Sequence, residues 1–468
     1  MAKREPEGPF ALLRLRDFRL AWLAGSAASC MRYLEILSIG VYVYQLSGSP
    51  FMVAMVLFLR MLPAFLFGAF AGAMVERIDR QRFLVMGLAG LSIMSTILGV
   101  LVASDLIQIW HVALGMFLSG LLWATDHPVR RAMLGEIAGL DRLGAATGLD
   151  STTTNAMRMV GPLVGGTLLA TIGMHGAYFL GTVLYGIAAL LIWVVRFRSL
   201  PRPATGNLIG DVRIGLGYIR SRPLIVATLA FTIIMNMFAF PYTSMVPVIA
   251  KSDLGLGAFL AGVLMSMDGA GAFLGALIIA WRATPAWFTR LYAGGSLICL
   301  AGILTFALSG RFEAAFVALF AAGLGFAGFG AMQGAIVFAA TPPAYRQRVL
   351  GVLAVCIGSG PLGILLMGTL AHWLGAAMAV AISSSFGICL AIAVLVFWPV
   401  LLAGLGLAIA LVAYEGAEAV FGALARSWQG VLAVSLFHLL PMGFSALGWR
   451  ALVDPSAPRG FLLLLWLR

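Results

Sequence analysis

Long apolar runs separated by short polar connections dominate the chain. A helix needs about 20 mostly apolar residues to cross the hydrocarbon core of a bilayer. Runs of that kind fall near residues 20–46, 50–75, 83–103, 107–125, 147–172, 177–197, 224–249, 257–281, 289–309, 312–340, 346–373 and 376–398, which predicts twelve transmembrane helices. Two weaker runs follow near 401–421 and 429–450. The stretch 198–223 is the only long polar connection in the first 400 residues, and it divides the twelve runs into six and six. Its second part, Asp211 to Arg220, reads as a short amphipathic helix lying on the membrane surface. The expected architecture is an all-α polytopic membrane protein with an N-terminal six-helix bundle (1–197), a linker (198–223), a C-terminal six-helix bundle (224–400) and a tail (401–468) with two further membrane helices.

Composition agrees with this reading. Of the 468 residues 10% are charged and 62% hydrophobic, and the mean hydropathy is +1.02. Soluble domains carry about 25% charged residues, so this chain cannot clothe a water-exposed globule, and its apolar content excludes disorder. The net charge of +12 has an address. With the N-terminus inside, connections on the cytoplasmic side of the twelve spans hold 21 Lys and Arg, and the opposite connections hold two, Lys251 and Arg311. This asymmetry sets orientation and needs no nucleic-acid partner. The N-terminal MAKREPEGPF lacks the apolar core of a cleavable signal peptide. Four cysteines, Cys30, Cys299, Cys356 and Cys389, lie in apolar runs without metal spacing.

The two halves echo each other. Gly161-Pro162-Leu and Gly166-Thr-Leu in span five correspond to Gly360-Pro361-Leu and Gly368-Thr-Leu in span eleven. Repeated six-helix halves with a site between them are a transporter architecture. At the end of span two, Gly72-Ala-Met-Val-Glu76-Arg77-Ile-Asp79-Arg80-Gln-Arg82 resembles the loop signature of the major facilitator superfamily, Gly-x-x-x-Asp-Arg-x-Gly-Arg. The acidic position is Glu76 and the second glycine position is Asp79, a variant similar to the twelve-helix efflux group that includes macrolide and enterobactin exporters. Tyr44-Gln-Leu-Ser-Gly-Ser-Pro50 and Arg158-Met-Val-Gly161-Pro162-Leu-Val-Gly165-Gly166 add to the resemblance, the latter to the exporters' antiporter motif. The resemblance covers about residues 12–400 and implies the major facilitator fold and secondary transport. One departure is that span four, Val112 to Trp123, lacks the arginine that many proton-coupled exporters place there.

The tail, 401–468, is expected to have no counterpart in that family. Gly430 to Pro441 and Gly448-Trp-Arg450 look similar to the beginning of the flippase-like membrane domain of lysylphosphatidylglycerol-synthase proteins. That implies a lipid-handling partner domain; the alternative is two added spans with no function of their own.

Ionisable residues at membrane depth are costly and by default mark function. Arg32 and Glu35 share one face of span one. Glu35 reads either as a protonatable group on a central cavity, poised by Arg32, or as half of an ion pair that only holds helices together. Asp268, mid-span in eight, suits a proton carrier, because burial penalises the charged form; its alternative is a partner for an arginine. Arg158 can bind an anion or serve as counter-ion to either acid. Arg60 precedes Pro63 and reads as a cavity residue or as one that snorkels to an interface. Asn155, Asn236, Tyr242 and Gln333 are cavity contacts or interhelical hydrogen-bond partners. Gly72, Glu76, Arg77, Asp79, Arg80 and Arg82, with Asp126, Arg130, Arg346 and Arg348, form a candidate cytoplasmic gate that latches the halves. Gly161, Pro162, Gly165, Gly166, Gly360 and Pro361 form the helix-packing motif.

No nucleotide loop, zinc spacing or nucleophile elbow occurs in the chain, so no cofactor, metal or enzymatic activity is expected. The expected function is export of a small amphiphilic or hydrophobic compound in exchange for protons, across an inner membrane with the N-terminus cytoplasmic. The rival readings are a lipid or lysolipid flippase on the same fold, and a membrane anchor or partner of a lipid-modifying enzyme.

Overall fold

The computed structural model describes residues 9–75, 79–139, 142–197, 216–282 and 287–398. Among them helices account for nearly all regular structure, and no strand occurs. The first half contains a short 3-10 turn (Pro9–Arg14) and helices α1 (Arg16–Ser47), α2 (Pro50–Val75), α3 (Arg80–Ala103), α4 (Ile109–Ala138), α5 (Leu143–Thr171) and α6 (Met174–Val194). The second half contains α7 (Pro223–Ile234), α8 (Val246–Ser252), α9 (Ala258–Arg282), α10 (Phe288–Leu308), α11 (Phe312–Ala340), α12 (Pro343–Ile357), α13 (Gly360–Leu374) and α14 (Ala376–Phe397).

Two of the predicted spans are broken. Span seven is α7, a π turn (Met235–Ala239), a 3-10 turn (Phe240–Ser244) and α8. Pro241 and Pro247 lack the N–H that a continuous helix uses. Span eleven breaks between α12 and α13 at Gly358-Ser359, where Pro361 enters the first turn of α13. Conversely, α4 runs through to Ala138, so Asp126, Arg130, Arg131 and Glu136 lie on a helix rather than in the connection that the apolar pattern predicts. Of the linker's predicted amphipathic helix, 216–220 is helical; residues 198–215 and the tail 401–468, with its two predicted spans, lie outside the described residues.

Eight of the rods are long and apolar enough to cross a membrane by length and composition alone, counting α7–Ser244 and Arg348–Leu374 each as one. The other span-length rods, α1, α2, α4 and α5, hold Arg32, Glu35, Arg60, Asp126, Arg130, Asp150 and Arg158. Charge is concentrated in the first half, and it is turned inward: Glu35, Arg60, Asp126, Arg130 and Asp150 are buried, while Met86, Ile93, Trp193, Val317 and Val396 are exposed as lipid-facing residues should be.

Within the first half α1 packs on α5 and α6, α2 on α4, and α3 on α6; within the second α9 and α10 pack on α11, and α14 on α10 and α13. Two principal seams join the halves, α5 against α9 and α2 against α13, with α1 also meeting α8. Lipid gives helices no hydrophobic drive to associate, so close packing of small residues decides where they meet. At the first seam Gly166 faces Gly262: an added Cβ on Gly166 would lie 2.6 Å from the Ala258 carbonyl oxygen, and one on Gly262 2.6 Å from that of Pro162. At the second, Gly368 seats against Ala54. Gly161 and Gly165 face α1 instead, at Tyr33 and Ser38.

Gly166→Val should therefore wedge the α5–α9 seam. Overpacking of this kind costs ~1–3 kcal/mol, and a lowered midpoint of thermal unfolding in detergent checks it, with Gly90→Val, where an added Cβ meets nothing within 4 Å, as the neutral comparison.

Candidate functional site

Between the halves lies a cavity of ≈ 370 Å³. Tyr33 and Ile36 of α1, Met61 and Phe65 of α2, Trp123 of α4 and Pro162 of α5 line it from the first half. Phe240, Met265, Phe326, Ile357 and Ile364 line it from the second, with Gly360 and Pro361 at the break in span eleven. The lining is apolar and aromatic with a few convergent polar groups, the usual composition of a small-molecule site. Those groups are Arg158, Asp268, Asn236 and Thr243.

Arg158 and Asp268 meet across the α5–α9 seam. Arg158 Nε donates to Asp268 Oδ2 at 2.8 Å, and Nη2 lies 2.5 Å from the same oxygen. The Arg158 guanidinium also lies over the Phe326 ring, 3.9 Å from its centroid. The approach is possible because Gly269, next to Asp268, has no side chain: a Cβ there would lie 2.6 Å from the Arg158 carbonyl. Buried Tyr242 brings its hydroxyl to Asp268. Asn236, in the π turn, donates from Nδ2 to the Thr232 carbonyl at 2.8 Å and lies beside Gly360.

The other expected cavity residues lie elsewhere. Glu35 does not line the cavity. It is buried inside the first half, where Oε2 accepts from Arg60 Nη1 (3.2 Å) and the Ser119 hydroxyl (3.2 Å), and Oε1 accepts from the Tyr185 hydroxyl (3.1 Å). Its ionic partner is thus Arg60 of α2 and not Arg32. An arginine one turn N-terminal to a glutamate is the weaker order for a helix pair, and Arg32 lies instead over the Trp123 ring, 5.2 Å from its centroid. Arg60 is buried and does not snorkel. Gln333 donates to Thr232 Oγ1 at 2.9 Å, in a hub that includes the Tyr292 hydroxyl, within the second half. Asn155 is half-buried on α5, away from the lining.

Among the described residues, Asp79, Arg80, Arg82, Asp126 and Arg130 of the expected gate make connections within the first half. Asp79 caps α3 through the Gln81 and Arg82 N–H groups, each at 3.1 Å, and Arg82 sits 3.3 Å from the same carboxylate. Gln81 donates to the Ile192, Trp193 and Val195 carbonyls at the end of α6. Arg80 pairs with Glu136 at 2.6 Å, tying α3 to α4. Arg130 pairs with Asp126 at 3.8 Å and, more tightly, with Asp150, which Arg131 also approaches at 3.2 Å, tying α4 to α5. These pairs brace one half rather than latching two, because the extended α4 carries the charged residues alongside its own neighbours. On the other half Arg346 lies over the Phe338 ring at 3.6 Å, and Arg348 keeps an interaction of its own. Glu76 and Arg77 lie outside the described residues, as do the surroundings of Gly72.

Two helical halves that meet at close-packed seams, with a ligand-sized cavity between them and an ion pair on its wall, have the architecture of a membrane transporter. A family model described as transmembrane secretion effector matches residues 7–432, and the chain belongs to that family of major facilitator transporters. The match runs past residue 400, so part of the tail, expected to have no counterpart, has one in the family. Relatives include an uncharacterised MFS-type transporter of Bacillus subtilis, YfiS (24% identical, 76% of this chain and 86% of that one). The staphyloferrin A transporter of Staphylococcus aureus is 23% identical over 71% of this chain and 84% of its own. Macrolide efflux protein A of Streptococcus pyogenes is 22% identical over 54% and 66%. The fold is shared with a POT family transporter solved with 5-aminolevulinic acid (TM-score 0.66, 11% identity, 82% and 96% covered). It is shared too with an inward-facing bacterial homologue of the lysosomal transporter Spinster (TM-score 0.59, 16% identity, 84% and 97% covered).

The Arg158 and Asp268 side chains are 12% and 6% exposed. Removing one partner of such a pair strands the other and costs ~3–5 kcal/mol, whereas an apolar replacement of both costs far less. Arg158→Leu should therefore lower the unfolding midpoint sharply, and Arg158→Leu/Asp268→Leu should recover most of the loss.

Proposed function

We propose that this transporter exports a small amphiphilic or hydrophobic compound in exchange for protons, across an inner membrane with its N-terminus in the cytoplasm. The observation that carries the reading is the Arg158–Asp268 pair on the wall of an otherwise apolar cavity, at the seam between the halves. A proton taken up by Asp268 cancels the charge that holds Arg158. The α5–α9 seam then loses its electrostatic tie and the halves can rearrange about the cavity, a two-state element of the kind alternating access requires. A solute with an apolar body fits the aromatic walls, and one of the relatives is by name a macrolide efflux protein. The arginine asymmetry, 21 against two, supports the orientation.

Glu35 has a different part in this scheme. Three donors from three other helices converge on its two oxygens, which makes it a brace within the first half.

Uptake of fluorescent amphiphiles into everted vesicles tests both assignments. A protonophore should abolish accumulation. Asp268→Asn should reduce proton-driven transport at least tenfold, whereas Glu35→Gln should lower stability more than coupling. Accumulation unchanged by the protonophore, or full proton-driven transport in Asp268→Asn, would contradict the proposal.

A further inference from the structure

The first half holds a second, small and partly open pocket of ≈ 20 Å³, distinct from the central cavity. Arg32, Arg60, Ser119, Trp123, Asp126 and Tyr185 are among its walls. About 10–15 Å³ suffices for one guest the size of a water molecule.

The polar groups around it leave donors unanswered. The Arg32 guanidinium has no hydrogen bond and no ion pair among the described residues; its contact is the face of Trp123. The buried indole N–H of Trp123 also has no partner. The nearby hydroxyls are committed, since Ser119 and Tyr185 both donate to Glu35.

The charges show the same deficit. Arg60 is matched by Glu35. Arg130 and Arg131 are matched by Asp126 and Asp150. Arg32 is left over, half-buried in the interior of the bundle. A water molecule would fill the volume but bring no counter-charge, and Asp126, on the same wall, is already shared with Arg130. The carboxylates nearest the void, Glu35 and Asp126, are each engaged by another arginine.

We propose that this void binds a small monovalent inorganic anion of halide size, held by Arg32 and the Trp123 indole N–H. The volume excludes an organic solute, so the site is separate from the one that takes the transported compound. Trp123 also lines the central cavity, so the anion steadies the ring that divides the two spaces.

The test is the thermal unfolding midpoint of the full chain in detergent as chloride replaces gluconate at constant ionic strength. The midpoint should rise saturably with chloride. Arg32→Gln should raise the half-saturating chloride concentration at least tenfold, while Arg346→Gln should leave it unchanged. Equal midpoints in chloride and gluconate, the result expected of a water-filled void, would overturn the proposal, and so would an undiminished chloride response in Arg32→Gln. Should Arg32→Gln fail to fold, bromide anomalous scattering from crystals of the wild-type chain replaces it: a peak beside Arg32 supports the site, and none at saturating bromide refutes it.

Discussion

Much of this structure depends on how a guanidinium and a carboxylate can be kept at membrane depth. Each alone costs about 2.5–3.5 kcal/mol even on the lenient insertion scale, and Arg158 and Asp268 offset that cost only by meeting. They belong to different halves, so the pair requires α5 and α9 to touch, and Gly166, Gly262 and Gly269 let them do so. The same contact closes one wall of the central cavity. Stability of the seam and chemistry of the site are thus one interaction, and a proton placed on Asp268 acts on both.

The remaining buried charge does a different task. In the first half, Glu35 with Arg60 joins α1 to α2, and Ser119 and Tyr185 bring in α4 and α6. Near the arginine-rich end Arg80 with Glu136, and Arg130 and Arg131 with Asp150, join α3, α4 and α5. These contacts make the first half a braced body. The second half is more apolar and is held by close packing and by hydroxyl and amide contacts centred on Thr232, Tyr292 and Gln333. Its irregular backbone, at the π turn of span seven and the break of span eleven, is confined to the cavity wall, where departures from helix are tolerated in membranes.

The helical architecture was legible because hydrocarbon forces it: a bilayer admits only helices or closed barrels, and apolar run length then sets the span boundaries to within a few residues over most of the described chain. The loop signature after span two carried the superfamily as well. The site was legible only in part. Arg158, Asp268 and Asn236 stood out because polar residues are rare in such runs, and they do line the cavity. Spacing along α1 wrongly paired Arg32 with Glu35, since Arg60 is 25 residues away in sequence and reaches Glu35 only through helix packing. Trp123, Phe240 and Phe326 carried no signal, because an aromatic residue on a cavity wall and one facing lipid look alike in a single sequence. The break in span seven had a signal in Pro241 and Pro247, and the apolar run concealed it.

Alternating access requires that the cavity between the halves be reached from each side of the membrane in turn. Thr243 lines that cavity. The direct measurement is the labelling rate of Thr243→Cys by a membrane-impermeant thiol reagent, in right-side-out and inside-out vesicles, with Cys30, Cys299, Cys356 and Cys389 replaced by alanine. Labelling should proceed from both faces, with protonation changing the two rates in opposite directions. A thiol that reacts from one face alone, under every pH and solute condition, would contradict alternating access.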